Sequence, residues 1–112
     1  MEVHIEHIDD VTLLKFSGKI DAFSAPPITE RIHAQISSGR VKLVADFSAV
    51  DYTCSAGLRM LLRLVKETRE RNGDIRLAAA QPDVQSVLDL SGFSNILMIY
   101  DTVDAALASF AS

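Results

Sequence analysis

Cysteine is nearly absent from this sequence of 112 residues, which contains a single one, Cys54, and no tryptophan. One cysteine cannot form an internal disulfide, and a structural zinc site needs about four clustered ligands. The three histidines are scattered and do not supply them. We therefore expect no metal and no cofactor, and we expect a protein of a reducing compartment, the cytoplasm.

Long hydrophobic runs and an excess of basic residues are lacking as well. Residues 1–5 include no basic segment, and no apolar stretch is long enough to cross a bilayer, so we expect neither a signal peptide nor membrane association. The net charge is -4, which argues against nucleic-acid binding, because phosphate contacts need clustered cations. One predicted helix carries most of the clustered cations, which we interpret as a solvated helix face: Arg59, Arg63, Lys66, Arg69 and Arg71.

Hydrophobic residues make up 48% of the chain, enough to bury the core of one domain spanning residues 1–112. Apolar periodicity and the positions of glycine and proline predict nine elements. The predicted strands are 2–7, 11–16 (ended by Gly18), 41–47, 75–79 and 97–100. The predicted helices are 25–38, 58–71, 82–91 and 102–111, the last of them capped by Asp101.

This order, ββαβαβαβα, predicts an α/β fold. A hairpin followed by alternating helices and strands gives a mixed, mostly parallel sheet with helices packed against it. Binding sites in such sheets form at the carboxyl ends of the parallel strands. Ser55 follows the third predicted strand and therefore falls at that edge.

Ser55 lies where an apolar strand turns into an amphipathic helix. The first turn of a helix has free backbone N–H groups and the positive end of the helix dipole, which together stabilise a phosphate. We hypothesise that Ser55 accepts a phosphate, although a serine at such a boundary commonly serves only as an N-cap. Gly57 either leaves the hydroxyl uncrowded for another protein or meets a steric need of the turn.

An enzyme is the main competing class. A serine nucleophile needs a neighbouring base that a third group orients. The spacing of His4, His7 and His33 brings none of them to the serine, and no phosphate-binding glycine loop is present. We therefore expect no catalytic residue.

The segment 45–59 resembles the signature of the STAS family, the anti-sigma factor antagonists. Residues 18–22, Gly-Lys-Ile-Asp-Ala, are similar to a second stretch of that family. The resemblance extends over nearly the whole chain and implies a STAS-like domain. The positions that match the central signature are Asp46, Ser48, Val50, Tyr52, Ser55, Gly57 and Leu58.

The resemblance implies a partner switch. In the family, the corresponding serine is phosphorylated by a kinase that is also the anti-sigma factor. The unmodified protein binds that kinase, and a phosphatase can reverse the modification. Carried over to this chain, Ser55 is the phosphorylation site, and the partner-binding loop comprises Asp21, Thr53, Cys54, Ala56, Gly57 and Leu58.

Cys54 stands where many members of the family have an aspartate. This difference keeps open an alternative, a STAS-type scaffold or regulatory subunit, for instance of a transporter, that is never phosphorylated. Whether the chain is a monomer or a weak dimer is also left open by the sequence.

Overall fold

The computed structural model of the protein describes residues 1–111 and has the predicted order of elements. The strands are β1 (Glu2–Ile8), β2 (Val11–Ile20), β3 (Lys42–Thr53), β4 (Asp74–Ala78) and β5 (Ile99–Tyr100). The helices are α1 (Ala25–Ser37), α2 (Ser55–Arg69), α3 (Pro82–Leu90) and α4 (Val103–Ser109), with a short 3-10 helix at Phe93–Asn95. No helix within residues 1–111 combines the length and the apolar character needed to cross a membrane.

The five strands form one sheet in the order β1-β2-β3-β4-β5. β1 and β2 form an antiparallel hairpin, and the pairs β2–β3, β3–β4 and β4–β5 are parallel. This arrangement confirms the predicted mixed, mostly parallel sheet. β3 lies at its centre, as its uniformly apolar first half indicates.

The helices cover the two faces of the sheet unequally. The larger core contains the apolar faces of α1, α2 and α3, with Ile32, Leu64 and Leu88 each 0% exposed. Alternate strand residues point to the opposite face, where Leu13 and Val44 pack beneath α4 in a smaller cluster. The site discussed below lies at the end of the sheet from which α1 and α2 begin.

β2 and β3 are both longer than the sequence predicts. The sequence predicts that β2 ends at Gly18, but Gly18 adopts φ +89 at a register shift and the strand continues to Ile20. The sequence also predicts that β3 ends at residue 47, but it continues to Thr53. The two extensions pair with each other and bury Ile20 and Val50 completely. The free energy gained from this burial outweighs the low strand propensity of the polar residues in the extensions.

The cap of α4 was also predicted at the wrong residue. The N-cap is Thr102, whose Oγ1 accepts a hydrogen bond from the N–H of Ala105 at 3.1 Å. Asp101 lies one residue outside the helix. Either side chain fits the sequence rule for an N-cap, and the path of the chain out of β5 decides between them.

Candidate functional site

The corner between β3 and α2 contains Ser55. Cys54 is the extended residue between the two elements, with φ -134 and ψ -172, and it occupies the N-cap position. Ser55 is therefore the first residue of the helix and not its cap, and α2 begins three residues before the predicted Leu58. The side chain of Ser55 is exposed, as the phosphoacceptor hypothesis requires.

The start of α2 has no side-chain cap. The first helical hydrogen bond runs from the N–H of Leu58 to the carbonyl of Cys54 at 3.1 Å, so the N–H groups of Ser55, Ala56 and Gly57 have no partner within the helix. The thiol of Cys54 donates instead to the carbonyl of Ile20 at 3.5 Å. The first turn contains no acidic residue. The positive end of the helix dipole is therefore open beside the Ser55 hydroxyl.

Gly57 is closely packed against the ends of β2 and β3. A Cβ at this position would lie 2.3 Å from Oγ1 of Thr53 and 2.8 Å from Cγ2 of Ile20. Of the two interpretations left open by the sequence, the steric need of the turn is the one that the geometry supports. The Thr53 hydroxyl is buried and has no hydrogen-bond partner within the described residues, and Gly57 leaves the space beside it free of a side chain.

Asp21 organises the turn that leads from β2 into α1. Its Oδ1 accepts hydrogen bonds from the N–H of Ser24 at 2.9 Å, from the N–H of Phe23 at 3.0 Å and from the Ser24 hydroxyl at 3.0 Å. The hydrogen bonds from the Ser24 backbone and hydroxyl hold the pKa of the Asp21 carboxyl below its usual range. The turn displays Phe23, which is 91% exposed. Sequence reasoning missed Phe23, because nothing in its spacing distinguishes it from a core residue.

A groove of about 470 Å³ lies between the first turns of α1 and α2, next to Ser55. Its walls are mostly apolar, and its charged lining residues are Arg59, Arg63 and Glu30. Among the predicted loop residues, Ala56 lines this groove, whereas Leu58 is half-buried and packs on the core. The residues around the groove include Ala22, Pro26, Pro27, Ala56, Arg59 and Arg63.

An ion-pair network connects α1 to α2 along the groove, which its members Arg63 and Glu30 also line. Glu67 accepts from Nε of Arg63 at 2.7 Å and from Nδ1 of His33 at 2.8 Å, and Arg63 also pairs with Glu30 at 3.5 Å. Burial opposes the ionisation of Glu67, but the bonds from His33 and Arg63 outweigh it and lower the pKa of the carboxyl. The network ties the two helices that border the site into one platform.

The remaining histidines lie on β1. The ring of His4 is 3.2 Å from a carboxylate oxygen of Glu6, and the ring of His7 is 2.6 Å from the amide oxygen of Gln35. Within residues 1–111 no histidine hydrogen-bonds to Ser55. The Ser55 hydroxyl therefore has no histidine bonded to it as the base that a serine nucleophile commonly uses.

Comparison with known proteins agrees with this architecture. Residues 2–106 match the family model of the STAS domain. The protein BtrV of Bordetella bronchiseptica is 30% identical over 98% of this chain and 95% of its own length. The crystal structure of an anti-sigma factor antagonist from Mycobacterium paratuberculosis superposes with a TM-score of 0.90 at 28% identity, covering 99% of this chain and 94% of that one.

A third similarity is to the Bacillus cell fate determinant SpoIIAA, whose structure in the phosphorylated form superposes with a TM-score of 0.77. The identity is 19%, over 96% of this chain and 98% of that one, so this match speaks for the fold alone. The match to the family model covers residues 2–106, most of the chain. This range includes all five strands of the sheet and the corner that contains Ser55. The chain therefore belongs to the STAS domain family.

Proposed function

We propose that the protein is an anti-sigma factor antagonist that works as a phosphorylation-controlled partner switch. The observation that carries this proposal is the exposed Ser55 hydroxyl at the uncapped, acid-free start of α2. The similar Mycobacterium protein is an anti-sigma factor antagonist, which supports an anti-sigma factor as the partner. Unmodified, the protein binds that factor and thereby frees a sigma factor.

In the proposed modification, a serine kinase transfers the γ-phosphoryl group of ATP to Oγ of Ser55. The new O–P bond replaces the bond between the γ-phosphorus and the bridging oxygen, ADP leaves, and the hydroxyl proton is released. The kinase is the anti-sigma factor itself, and a phosphatase restores the hydroxyl with water. The cytoplasm, where ATP is abundant, is the compartment in which we place this cycle.

The phosphate adds a charge of about -1.5 to -2 at neutral pH. At Ser55 this charge lies beside the free N–H groups of the first turn, which stabilise it. The domain therefore keeps its fold when it is phosphorylated. Phosphorylation therefore changes the charge of the surface around Ser55, and the partner responds to that change in charge.

A partner surface that fits a neutral hydroxyl is a poor fit for a dianion. Enclosing an unpaired charge in a desolvated interface costs several kcal/mol, which corresponds to a loss of affinity of two orders of magnitude or more. The groove next to Ser55 and the exposed ring of Phe23 supply apolar surface for such an interface. Asp21, Thr53, Cys54, Gly57 and Leu58 act mainly by shaping it.

The test combines modification and binding. Incubation with the cognate anti-sigma kinase and ATP should add one phosphate, detected by mass, and Ser55→Ala should abolish the gain. In a titration with the same kinase, Ser55→Ala should bind constitutively and Ser55→Asp should bind more weakly. Ser86→Asp, which adds the same charge at an exposed position of α3, is the matched control and should bind normally.

Two results would contradict the switch. Equal affinity of Ser55→Ala and Ser55→Asp for the anti-sigma factor would show that charge at the corner is not sensed. Absence of any phosphate with every cognate kinase, together with retained partner binding, would favour the scaffold alternative instead.

A further inference from the structure

Arg59 differs from every other arginine of the chain. Within residues 1–111 its guanidinium has no ion-pair or hydrogen-bond partner, whereas each of the other six arginines donates to a carboxylate, a hydroxyl or a carbonyl oxygen. Those six are Arg31, Arg40, Arg63, Arg69, Arg71 and Arg76. An exposed cation that the fold does not use is available to another group.

Arg59 also lies on the same side of α2 as Ser55. The two residues are four positions apart in a continuous helix that begins at Ser55, a spacing that places Cβ atoms about 5–6 Å apart. Both side chains are exposed. An anion on Oγ of Ser55 is therefore within reach of the long, flexible side chain of Arg59, and the acid-before-base order is the favourable one along a helix.

We propose that Arg59 is the residue that senses the state of Ser55, an inference that rests on the partner switch proposed above. When Ser55 is unmodified, the guanidinium binds a carboxylate of the anti-sigma factor. When Ser55 is phosphorylated, the phosphate and the guanidinium pair within α2. The phosphate then acts twice, because it adds negative charge and withdraws the cation that the partner's carboxylate needs.

Charge complementarity selects a carboxylate as the group on the partner. The chain has a net charge of -4, yet the border of the groove next to Ser55 includes the unpaired Arg59 among apolar residues such as Ala56, while Glu30, which also lines the groove, pairs with Arg63. A guanidinium beside apolar surface prefers a planar, bidentate anion. Once the phosphate on Ser55 forms an ion pair with Arg59, the partner's carboxylate has no cation to bind and is repelled by the negative charge of the phosphate.

The first experiment measures the internal ion pair without any partner. Phosphoserine is incorporated at position 55 during translation, and its phosphorus NMR signal is titrated with pH. An ion pair with Arg59 favours the dianion, so Arg59→Gln should move the titration midpoint to higher pH, by about 0.3 pH unit or more. Lys66→Gln removes the same charge at a position about 16 Å along the helix from Ser55 and should leave the midpoint in place.

The second experiment measures affinity for the anti-sigma factor with and without the phosphate, in the parent protein and in Arg59→Gln. We expect Arg59→Gln to weaken the unmodified complex about tenfold or more. Phosphorylation should then cost Arg59→Gln at least fivefold less affinity than it costs the parent. Arg59→Lys, which keeps the charge but not the planar fork, should recover part of the unmodified affinity.

An unchanged titration midpoint in Arg59→Gln overturns the proposal, as does an equal loss on phosphorylation in both proteins. These failures are distinguishable from failure of the switch itself. If the phosphate does not lower the affinity of the parent protein, the proposed function is wrong. If it lowers both affinities equally, the switch operates and only the role of Arg59 is wrong.

Discussion

Replacing Gly57 with alanine tests whether the packing of the corner limits its sequence. The added Cβ would lie 2.3 Å from Oγ1 of Thr53 and 2.8 Å from Cγ2 of Ile20, whereas non-bonded carbon atoms approach optimally to about 3.5–4.0 Å. Both opposing atoms are attached directly to a branched Cβ, so they move only if χ1 changes or the backbone shifts. Gly57 has ordinary helical backbone geometry, so the effect is steric.

The expected change in the free energy of unfolding is the difference between a steric cost and a gain in helix propensity. Overpacking of this kind costs about 1–3 kcal/mol, and alanine in place of glycine in a helix returns about 1 kcal/mol. We therefore expect Gly57→Ala to lower the free energy of unfolding by up to about 2 kcal/mol, although helix propensity alone favours it. Urea unfolding followed by circular dichroism at 222 nm suits a chain without tryptophan.

Two controls isolate the contact. Ala56→Gly changes helix propensity in the same turn and measures that term alone. Thr53→Ala removes Oγ1, so Gly57→Ala should cost less in the Thr53→Ala background than in the parent protein, with the contact to Ile20 still present. A Gly57→Ala protein as stable as the parent would refute the view that close packing at this corner requires glycine.

Three further predictions concern stability. Leu61 is 1% exposed and Leu62 is half-buried, so in urea unfolding Leu61→Ala should cost about 2–5 kcal/mol and Leu62→Ala clearly less; equal losses would contradict the burial. Glu67→Gln should destabilise the folded protein at neutral pH. Because the pKa of the Glu67 carboxyl is lowered in the folded protein, the stability that its ionised form contributes is present above the unfolded pKa and is lost as pH falls through the folded pKa. The unfolding curves of parent and variant should thus differ at pH 7 and approach each other at pH 3, and a pH-independent difference would count against ionic pairing. Thr102→Ala should cost about 1 kcal/mol and Asp101→Ala less, and the reverse order in thermal unfolding would place the cap at Asp101.

Much of the fold follows from the sequence, because the apolar periods of the strands and helices agree with the order in which they pack. The lengths of β2 and β3 do not follow, since a glycine and several polar residues end the local signal before the strands end. Their extensions form because each supplies the other's hydrogen bonds and both bury an isoleucine or a valine. This stabilisation comes from contacts between the two strands, so the sequence of either strand alone does not predict it.

The corner could be predicted in position but not in detail. The sequence places Ser55 between a strand and a helix, and the structure confirms that it is exposed there; its phosphorylation stays a prediction. The sequence predicts that α2 begins at Leu58, three residues late, because the apolar period starts there, whereas the helix begins at Ser55 and its first turn packs Gly57 against Thr53. The unpaired state of Arg59 depends on where every nearby carboxylate lies, which only the folded chain defines.

The unequal lengths of β3 and β4 have a mechanical consequence. β4 pairs with β3 only as far as Asp46, and the remainder of β3 continues alongside β2 alone until Thr53. The serine corner therefore lies past the last pairing of β4, at the end of two paired strands whose Ile20 and Val50 remain buried in the core. Because the Ser55 hydroxyl is exposed at this rim, another protein can reach it while the sheet stays intact, and access to it requires no opening of the domain.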